Sequence, residues 1–212
     1  MPNHKALTRK EHFSLQDLQE IVTILRAPDG CPWDRVQTHE SIRNHFAEEV
    51  FEAIEGIDRR DNAILCEELG DVLLHVVFHA SLAKEEGAFG MQEVLDGICQ
   101  KMIRRHPHVF SSRPFSPDDW ARIKAEEKQE AGLGDRLAHI STAFPAPMRA
   151  QKILEKGKEQ TKPGVIDPAG DPVLEAGARL YALCDECRAQ GIDAEEALDR
   201  YLNKIIENCT NN

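Results

Sequence analysis

Five acidic side chains, spaced for two helix faces, are the residues of this sequence best suited to chemistry. Glu48, Glu49 and Glu52 fall within one helical turn, so they project into one quadrant of a helix. Glu68 and Asp71 lie about 60° apart on the following helix. Because a short polar turn joins the two helices, we expect them to be antiparallel neighbours. The spacing therefore predicts that five carboxylates meet across one groove.

Two interpretations compete for this acidic groove. The first helix alone favours a solvated face, because its apolar residues cluster on the side opposite the acids. The second helix favours a metal site: the stretch 69–83 is apolar almost all round, as in a buried helix. On the same helix, Glu68, Asp71, His75 and His79 form a polar seam about 80° wide. Buried carboxylates are costly unless they are paired or bind a metal, so we expect a metal site. His75 and His79 could bind the metal, hydrogen-bond to the carboxylates, or be ordinary core histidines.

The ligand type indicates which cation would bind. Carboxylate oxygens favour hard cations, so Mg²⁺ is predicted, with Mn²⁺ as a substitute. Such ions can activate a water and neutralise charge at a transferring phosphorus. Basic side chains that could grip phosphates follow on later helices: Lys101, Arg104, Arg105 and Lys124. Basic residues near helix C-termini are also common for dipole reasons, and both interpretations stay open.

Helical patterns dominate the sequence, and no stretch alternates convincingly like a strand, so the predicted fold class is all-α. Ser14 is predicted to cap the first helix and Thr38 the second. Ser116 with Pro117 is predicted to begin the helix that carries Trp120. The expected helices cover about 15–25, 38–57, 63–86, 92–105, 117–132, 148–160, 171–190 and 194–209.

Composition narrows the class of protein. The formal net charge is −11, which argues against a sequence-independent nucleic-acid binder. No apolar run approaches the length of a membrane span, so no membrane partner is expected. Six cysteines without a recognisable secretion signal are typical of reduced thiols, which predicts a cytoplasmic protein.

Several motifs together resemble one known family. Glu48-Glu49-Val-Phe-Glu52, followed after fifteen residues by Glu68-Leu-Gly-Asp71, is similar to the EExxE…ExxD signature of the all-α nucleoside triphosphate pyrophosphohydrolases. The flanking segments narrow the resemblance to the MazG family; they are Gly30-Cys-Pro-Trp-Asp34, Arg104-Arg-His-Pro-His-Val-Phe110, Trp120-Ala-Arg-Ile-Lys124 and Met148-Arg-Ala-Gln-Lys-Ile153.

The resemblance implies hydrolysis of a nucleoside triphosphate to a monophosphate and pyrophosphate, with water attacking the α-phosphorus. By similarity, the Mg²⁺ ligands would be Glu49, Glu52, Glu68 and Asp71. Glu48 would be a further ligand or would orient the water, so Glu48 and Glu49 are the catalytic candidates. The phosphate and nucleotide contacts implied are Lys101, Arg104, Arg105, Trp120 and Lys124. Family members are usually homodimers or higher homo-oligomers. Trp33, in a loop, could stack on the base or anchor the core.

The predicted organisation has three parts: a four-helix-type MazG catalytic domain over 10–130, a linker with a short helix over 131–170, and a degenerate second MazG-like unit over 171–212. The second unit lacks an EExxE helix, and Ala178 stands where the aspartate would be. Alternatives at this stage are a narrower enzyme for dUTP, dCTP or a phosphoribosyl-ATP-like substrate, a nucleotide or metal sensor without turnover, and a structural scaffold.

Overall fold

The computed structural model describes residues 7–117, 119–127 and 132–210, and throughout these residues the regular structure is helical, with no strand. The predicted all-α class is therefore confirmed. The described chain forms two compact units, Met1–Ser116 and Pro117–Asn212. In the first unit the helices are α1 (Leu15–Arg26), α2 (Arg43–Arg59), α3 (Asn62–Glu85), α4 (Met91–Arg105) and α5 (Pro107–Phe110), with a 3₁₀ turn at Asp34–Val36.

Helix α1 begins where the sequence predicts, at a reciprocal cap. The Ser14 hydroxyl accepts a hydrogen bond from the Asp17 amide at 3.3 Å, and the Asp17 carboxylate accepts one from the Ser14 amide at 2.8 Å. These two bonds satisfy backbone donors that the first helical turn leaves without partners. Lys10 also donates to Asp17, and this contact, together with the bonds from Ser14, lowers the pKa of Asp17 to about 2.

A tight turn between α2 and α3 sets the two acid-bearing helices side by side. Arg60 ends α2 in the left-handed conformation at φ 55°, and Asp61 then caps α3 by accepting from the amides of Ala63 and Ile64. Gly56 lets the helices approach closely, because a Cβ there would lie 2.9 Å from the Leu65 backbone nitrogen. The expected antiparallel pair is therefore formed.

The core of the first unit lies at the end of the α2–α3 pair away from this turn. Its buried members are Val22, Ile42, Val77, Phe78, Ala80, Leu82 and Met91. Arg26 lies at the edge of that core and links three elements. Its guanidinium donates to both carboxylate oxygens of Glu85, at 2.8 and 2.7 Å, and to the Asp34 carbonyl at 2.6 Å. Helix α1, the 3₁₀ turn and the end of α3 are thereby tied together.

The second unit contains α6 (Asp119–Glu127), α7 (Leu133–Ala138), α8 (Ala146–Gly157), a 3₁₀ turn at Lys158–Thr161, α9 (Pro172–Ala189) and α10 (Ala194–Thr210). Its core joins Leu154 of α8 to Cys184 of α9 and Ala194 of α10. The Gln151 side chain connects α8 to the start of α10: its amide donates to the carbonyl of Ile192, in the loop before α10, at 2.9 Å, and its carbonyl accepts from the Ala194 amide at 3.0 Å.

This division of the chain differs from the predicted boundaries at 130 and 170. Helix α6 groups with the second unit. The segment 131–170, predicted to be a linker with one short helix over 148–160, carries that helix as α8 and also α7 in its described part. Helix α8 packs against both α9 and α10, a packing that the glycine- and proline-rich composition of the segment does not indicate. Whether 171–212 is a degenerate repeat stays a prediction.

One predicted helix start is wrong. Thr38 does not cap α2, because its hydroxyl accepts from the Ser41 amide at 3.2 Å in a separate turn, and the helix begins only at Arg43. The helix predicted from Ser116 and Pro117 spans Asp119–Glu127 in the structure, with Asp118 outside the described residues. The capped starts of α3, α9 and α10 agree with the sequence to within a residue or two.

Candidate active site

Three carboxylates converge between α2 and α3, in the groove that the sequence predicts. Glu49 from α2 and Glu68 and Asp71 from α3 each offer an oxygen, and these oxygens lie within 4.8 Å of one another. No other group of three or more His, Cys, Asp or Glu residues in the described part of the chain converges in this way. All three residues are half-buried.

The electrostatics of this carboxylate cluster are unfavourable without a cation. Burial raises the pKa of Glu49, and the charges of Asp71 and Glu52 raise it further. Burial also raises the pKa of Glu68, with added repulsion from Glu52, whereas a hydrogen bond from Glu49 acts in the opposite direction. Such a bond between two carboxyl groups needs a proton on one of them. Burial and mutual repulsion therefore both disfavour the charged forms of Glu49 and Glu68.

These features fit a hard divalent cation. Within the described residues, no lysine or arginine forms an ion pair with Glu49, Glu68 or Asp71; His75, with Nε2 3.9 Å from Glu49 Oε1, is the nearest basic group. A divalent ion would supply the missing positive charge, and its preference for carboxylate oxygens matches the donors present. The chemistry of the donor set is therefore that of a Mg²⁺ or Mn²⁺ site.

The other two predicted acids lie differently. Glu52 is exposed and stands outside the converging set, although its charge and a shared hydrogen bond contribute to the raised pKa of Glu49. The Glu48 carboxylate contacts Nδ1 of His45 at 3.0 Å on the exposed side of α2. The structure thus brings Glu49, Glu68 and Asp71 together, with Glu52 beside them and Glu48 apart. The proposed roles of all five stay predictions.

The histidine seam on α3 continues away from the carboxylates. His75 Nδ1 is buried without a hydrogen-bond partner, and burial, then the charge of His45, lowers the pKa of His75. His79 Nδ1 lies 2.7 Å from Nδ1 of His39, so one ring donates and the other accepts. Burial, then the charges of His39 and His75, lowers the pKa of His79. His79 therefore pairs with another histidine and is not part of the carboxylate cluster.

The predicted phosphate contacts divide between the two units. Lys101, Arg104 and Arg105 form the last turns of α4. The contacts of α4 with the core are made at its start, by Met91, Val94 and Leu95, about three helical turns before Arg105. Trp120 and Lys124 lie one turn apart on α6, in the second unit.

Trp33 does not anchor the core. Its side chain is 57% exposed in the loop before the 3₁₀ turn, and its carbonyl accepts a hydrogen bond from the Gln37 side chain at 2.9 Å. The alternative, stacking on a base, stays a prediction.

Sequence reasoning missed two aromatic residues that contact the histidine seam. His39 pairs with His79, and the ring of Phe46 lies 5.7 Å from the ring of His75. The available signal was the position of Phe46, one turn before Glu49.

Helix packing and this acidic groove define a class: an all-α bundle that presents a carboxylate cluster suited to divalent cations. Comparison with known proteins is more specific. Residues 37–110 match the MazG nucleotide pyrophosphohydrolase domain, and this segment contains the whole cluster. The chain belongs to the MazG family.

Two relatives align over most of both chains. One, from Thermotoga maritima (strain MSB8), is named nucleoside triphosphate pyrophosphohydrolase/pyrophosphatase MazG; it is 38% identical over 91% of this chain and 82% of the relative. The other, from Escherichia coli (strain K12), is named nucleoside triphosphate pyrophosphohydrolase and is 38% identical over 90% of this chain and 85% of the relative. A protein of Mycolicibacterium smegmatis with the latter name is 33% identical over 65% of this chain and 44% of its own length.

Proposed function

We propose that this chain hydrolyses nucleoside triphosphates to nucleoside monophosphates and pyrophosphate in the presence of Mg²⁺. The observation that carries the proposal is the half-buried cluster of Glu49, Glu68 and Asp71, which lies inside the segment that matches a nucleotide pyrophosphohydrolase domain. In the reaction, a water oxygen bonds to the α-phosphorus while the bond to the bridging oxygen breaks, and pyrophosphate leaves.

The carboxylates would hold the metal. Glu49, Glu68 and Asp71 are the proposed ligands, with Glu52 as a fourth, and Mn²⁺ would substitute for Mg²⁺. When bound, the ion neutralises phosphate charge and lowers the pKa of a bound water. Glu48, next to Glu49 in the chain, is the proposed group for orienting the attacking water. Half-burial lowers the effective dielectric constant around the three carboxylates, which strengthens their attraction for a cation.

Basic side chains would hold the phosphates. We assign Lys101, Arg104 and Arg105 to the triphosphate on family resemblance and because the three basic side chains cluster in the last turns of α4. Guanidinium groups bind phosphate oxygens through two parallel hydrogen bonds, which fixes orientation as well as charge. Lys124 is assigned to the phosphates and Trp120 to the nucleotide on family resemblance. Trp33 remains a candidate for stacking on the nucleobase of the substrate.

The proposed setting is a cytoplasmic homo-oligomer that limits non-standard nucleotides or adjusts nucleotide pools. Large apolar side chains on the acid-bearing helices are exposed in the single chain, among them Phe51, Ile57 and Leu69 at 54% or more. A second copy covering them would remove this apolar surface from water. The six free cysteines agree with a reducing compartment. Of the described helices, none is both long and apolar enough to cross a membrane.

Pyrophosphate release tests the proposal. The standard nucleoside and deoxynucleoside triphosphates, with dUTP, dITP and XTP, would be assayed with Mg²⁺ and with EDTA, for the wild type, Asp71→Asn and a matched control. Glu20→Gln is that control, because Glu20 is an exposed acid on α1, away from the cluster. We expect metal-dependent pyrophosphate and monophosphate from the wild type and Glu20→Gln, with at least a hundredfold loss in Asp71→Asn.

Other outcomes would refute the proposal. Release of inorganic phosphate would contradict attack at the α-phosphorus. Binding of nucleotide and Mg²⁺ without turnover would favour a sensor, and a narrow preference for one substrate would favour the specialised alternatives. The absence of any stabilisation by Mg²⁺ would leave only a structural role.

A further inference from the structure

His75 of α3 faces α2 beside the carboxylate cluster. Its Nε2 lies 3.9 Å from Glu49 Oε1, and among the described residues it is the basic group that comes within 4 Å of that carboxylate. His75 also follows Asp71 by one turn of the same helix, so the two side chains share a face of α3. The imidazole therefore stands next to one proposed metal ligand and opposite another, outside the set of converging oxygens.

Packing on both sides fixes the position of this imidazole. The Phe46 ring of α2 lies 5.7 Å from it, and the His79 ring, one turn further along α3, lies 6.4 Å from it. Only 14% of the His75 side chain is exposed. A side chain whose rotamer is held by packing presents its polar atom at one place, and the orientation of a metal ligand requires such a partner.

The hydrogen-bonding pattern indicates which ring nitrogen of His75 carries the proton. Nδ1 is buried and has no hydrogen-bond partner, so a proton on it would leave a buried N–H donor unsatisfied. The neutral ring carries a single proton, which is therefore favoured on Nε2. Because Nε2 is the nitrogen nearer to Glu49, the ring directs a donor toward an acceptor carboxylate.

Glu49 changes partners when its carboxylate loses its proton. The hydrogen bonds that link Glu49 to Glu52 and Glu68 each need a proton on one of the two carboxyl groups. Metal ligands must be deprotonated, so these bonds are lost when a divalent cation binds. The present contact with His75, at 3.9 Å, is about 1 Å longer than an ordinary N–H···O hydrogen bond, and rotation of the Glu49 side chain can remove this difference.

We propose that His75 is a positioning residue that donates a hydrogen bond from Nε2 to Glu49 and thereby orients this carboxylate toward a divalent cation. The proposal rests on the proposed function, because Glu49 serves there as a metal ligand. Hydrogen bonds to a ligating carboxylate fix its direction, and their loss typically costs about ten- to a hundredfold in metal affinity. His79 has no such role, because its Nδ1 pairs with His39.

Two replacements of similar size separate hydrogen bonding from packing. His75→Gln keeps an N–H donor at the end of the side chain, whereas His75→Met fills a similar volume without a donor. We would titrate the nucleotide-free protein with Mn²⁺ and follow free Mn²⁺ by electron paramagnetic resonance. Only the binding that Asp71→Asn abolishes counts as the site. His75→Met should raise the Mn²⁺ Kd by about tenfold or more, and His75→Gln should stay within about threefold of the wild type.

His79→Gln and His79→Met are the matched controls, since His79 is a histidine one turn away on the same helix and outside the cluster. Both should keep the wild-type Mn²⁺ Kd, whatever they do to stability. Thermal unfolding followed by circular dichroism checks that each variant folds. If His75→Gln does not fold, the comparison of His75→Met with the wild type still decides, because an unchanged Kd overturns the inference.

The order of the two His75 variants distinguishes the roles. A packing role predicts that methionine is tolerated at least as well as glutamine at this largely buried position. A Kd for His75→Met equal to or below that of His75→Gln therefore overturns the inference and leaves the proposed function standing. If Asp71→Asn does not change Mn²⁺ binding to the wild type, the proposed metal site fails, and the role of His75 fails with it.

Discussion

Replacing Glu49 with glutamine should stabilise the metal-free protein and destabilise the metal-bound one. The reason is the repulsion between Glu49 and Asp71, whose oxygens lie within 4.8 Å. Two unit charges at that distance repel by about 0.9 kcal/mol in bulk water and about 3.5 kcal/mol at an effective dielectric constant of 20. The Glu49 side chain is 22% exposed, so solvent screening brings the value toward the lower limit. We expect Glu49→Gln to raise the free energy of unfolding by about 1 kcal/mol.

Thermal unfolding followed by circular dichroism measures this change. In EDTA at low salt, 1 kcal/mol corresponds to a Tm increase of about 2–4 °C. Adding Mg²⁺ at about a hundred times its Kd should stabilise the wild type by about 2.7 kcal/mol, but the variant much less, because one ligand is lost. The order of the two Tm values should therefore reverse between EDTA and Mg²⁺. High salt should reduce the difference in EDTA, because screening weakens the repulsion.

Glu20→Gln is again the matched control and should follow the wild type in both conditions. Two results would refute the reasoning. A lower Tm for Glu49→Gln in EDTA would mean that the carboxylate stabilises the fold and is not held against repulsion. An unchanged Mg²⁺-induced shift in the variant would mean that the cation binds outside the cluster.

Three further predictions concern the fold around the site. Glu85→Ala leaves the buried Arg26 guanidinium without its carboxylate and should lower the urea-derived free energy of unfolding by about 2 kcal/mol; a change below 0.5 kcal/mol would show that the pair is dispensable. Leu154→Ala should cost about 2–5 kcal/mol in the second unit, seen as earlier urea unfolding. Burial lowers the pKa of His79 below its ordinary value of 6.5, so the fold favours the neutral ring. The stability that depends on neutral His79 is complete above pH 6.5 and is lost as the pH falls below that value. Urea titrations at pH 7.5 and 5.5 should show His79→Gln losing less stability than the wild type, and equal losses would contradict this.

Local signals explain what the sequence predicted well. The reciprocal cap at Ser14 and Asp17 involves residues three positions apart, so it is visible in the sequence. The helical period and the short turn after α2 were enough to bring Glu49 to the two acids of α3. What the sequence did not reveal depends on distant partners: His39 meets His79 across forty residues, and Gln151 reaches Ala194 across forty-three.

Burial of α3 is the clearest difference between pattern and structure. The sequence is apolar almost all round from 69 to 83, which predicts a buried helix, yet only its C-terminal half is buried. Leu69 and Leu73, beside the carboxylates, are 54% and 42% exposed in the single chain. Apolar periodicity reports the surroundings under which a sequence was selected, and these include whatever binds the folded chain. The exposed leucines and the uncompensated carboxylates occupy the same stretch of helix, and the proposed homo-oligomer and the proposed cation would relieve both.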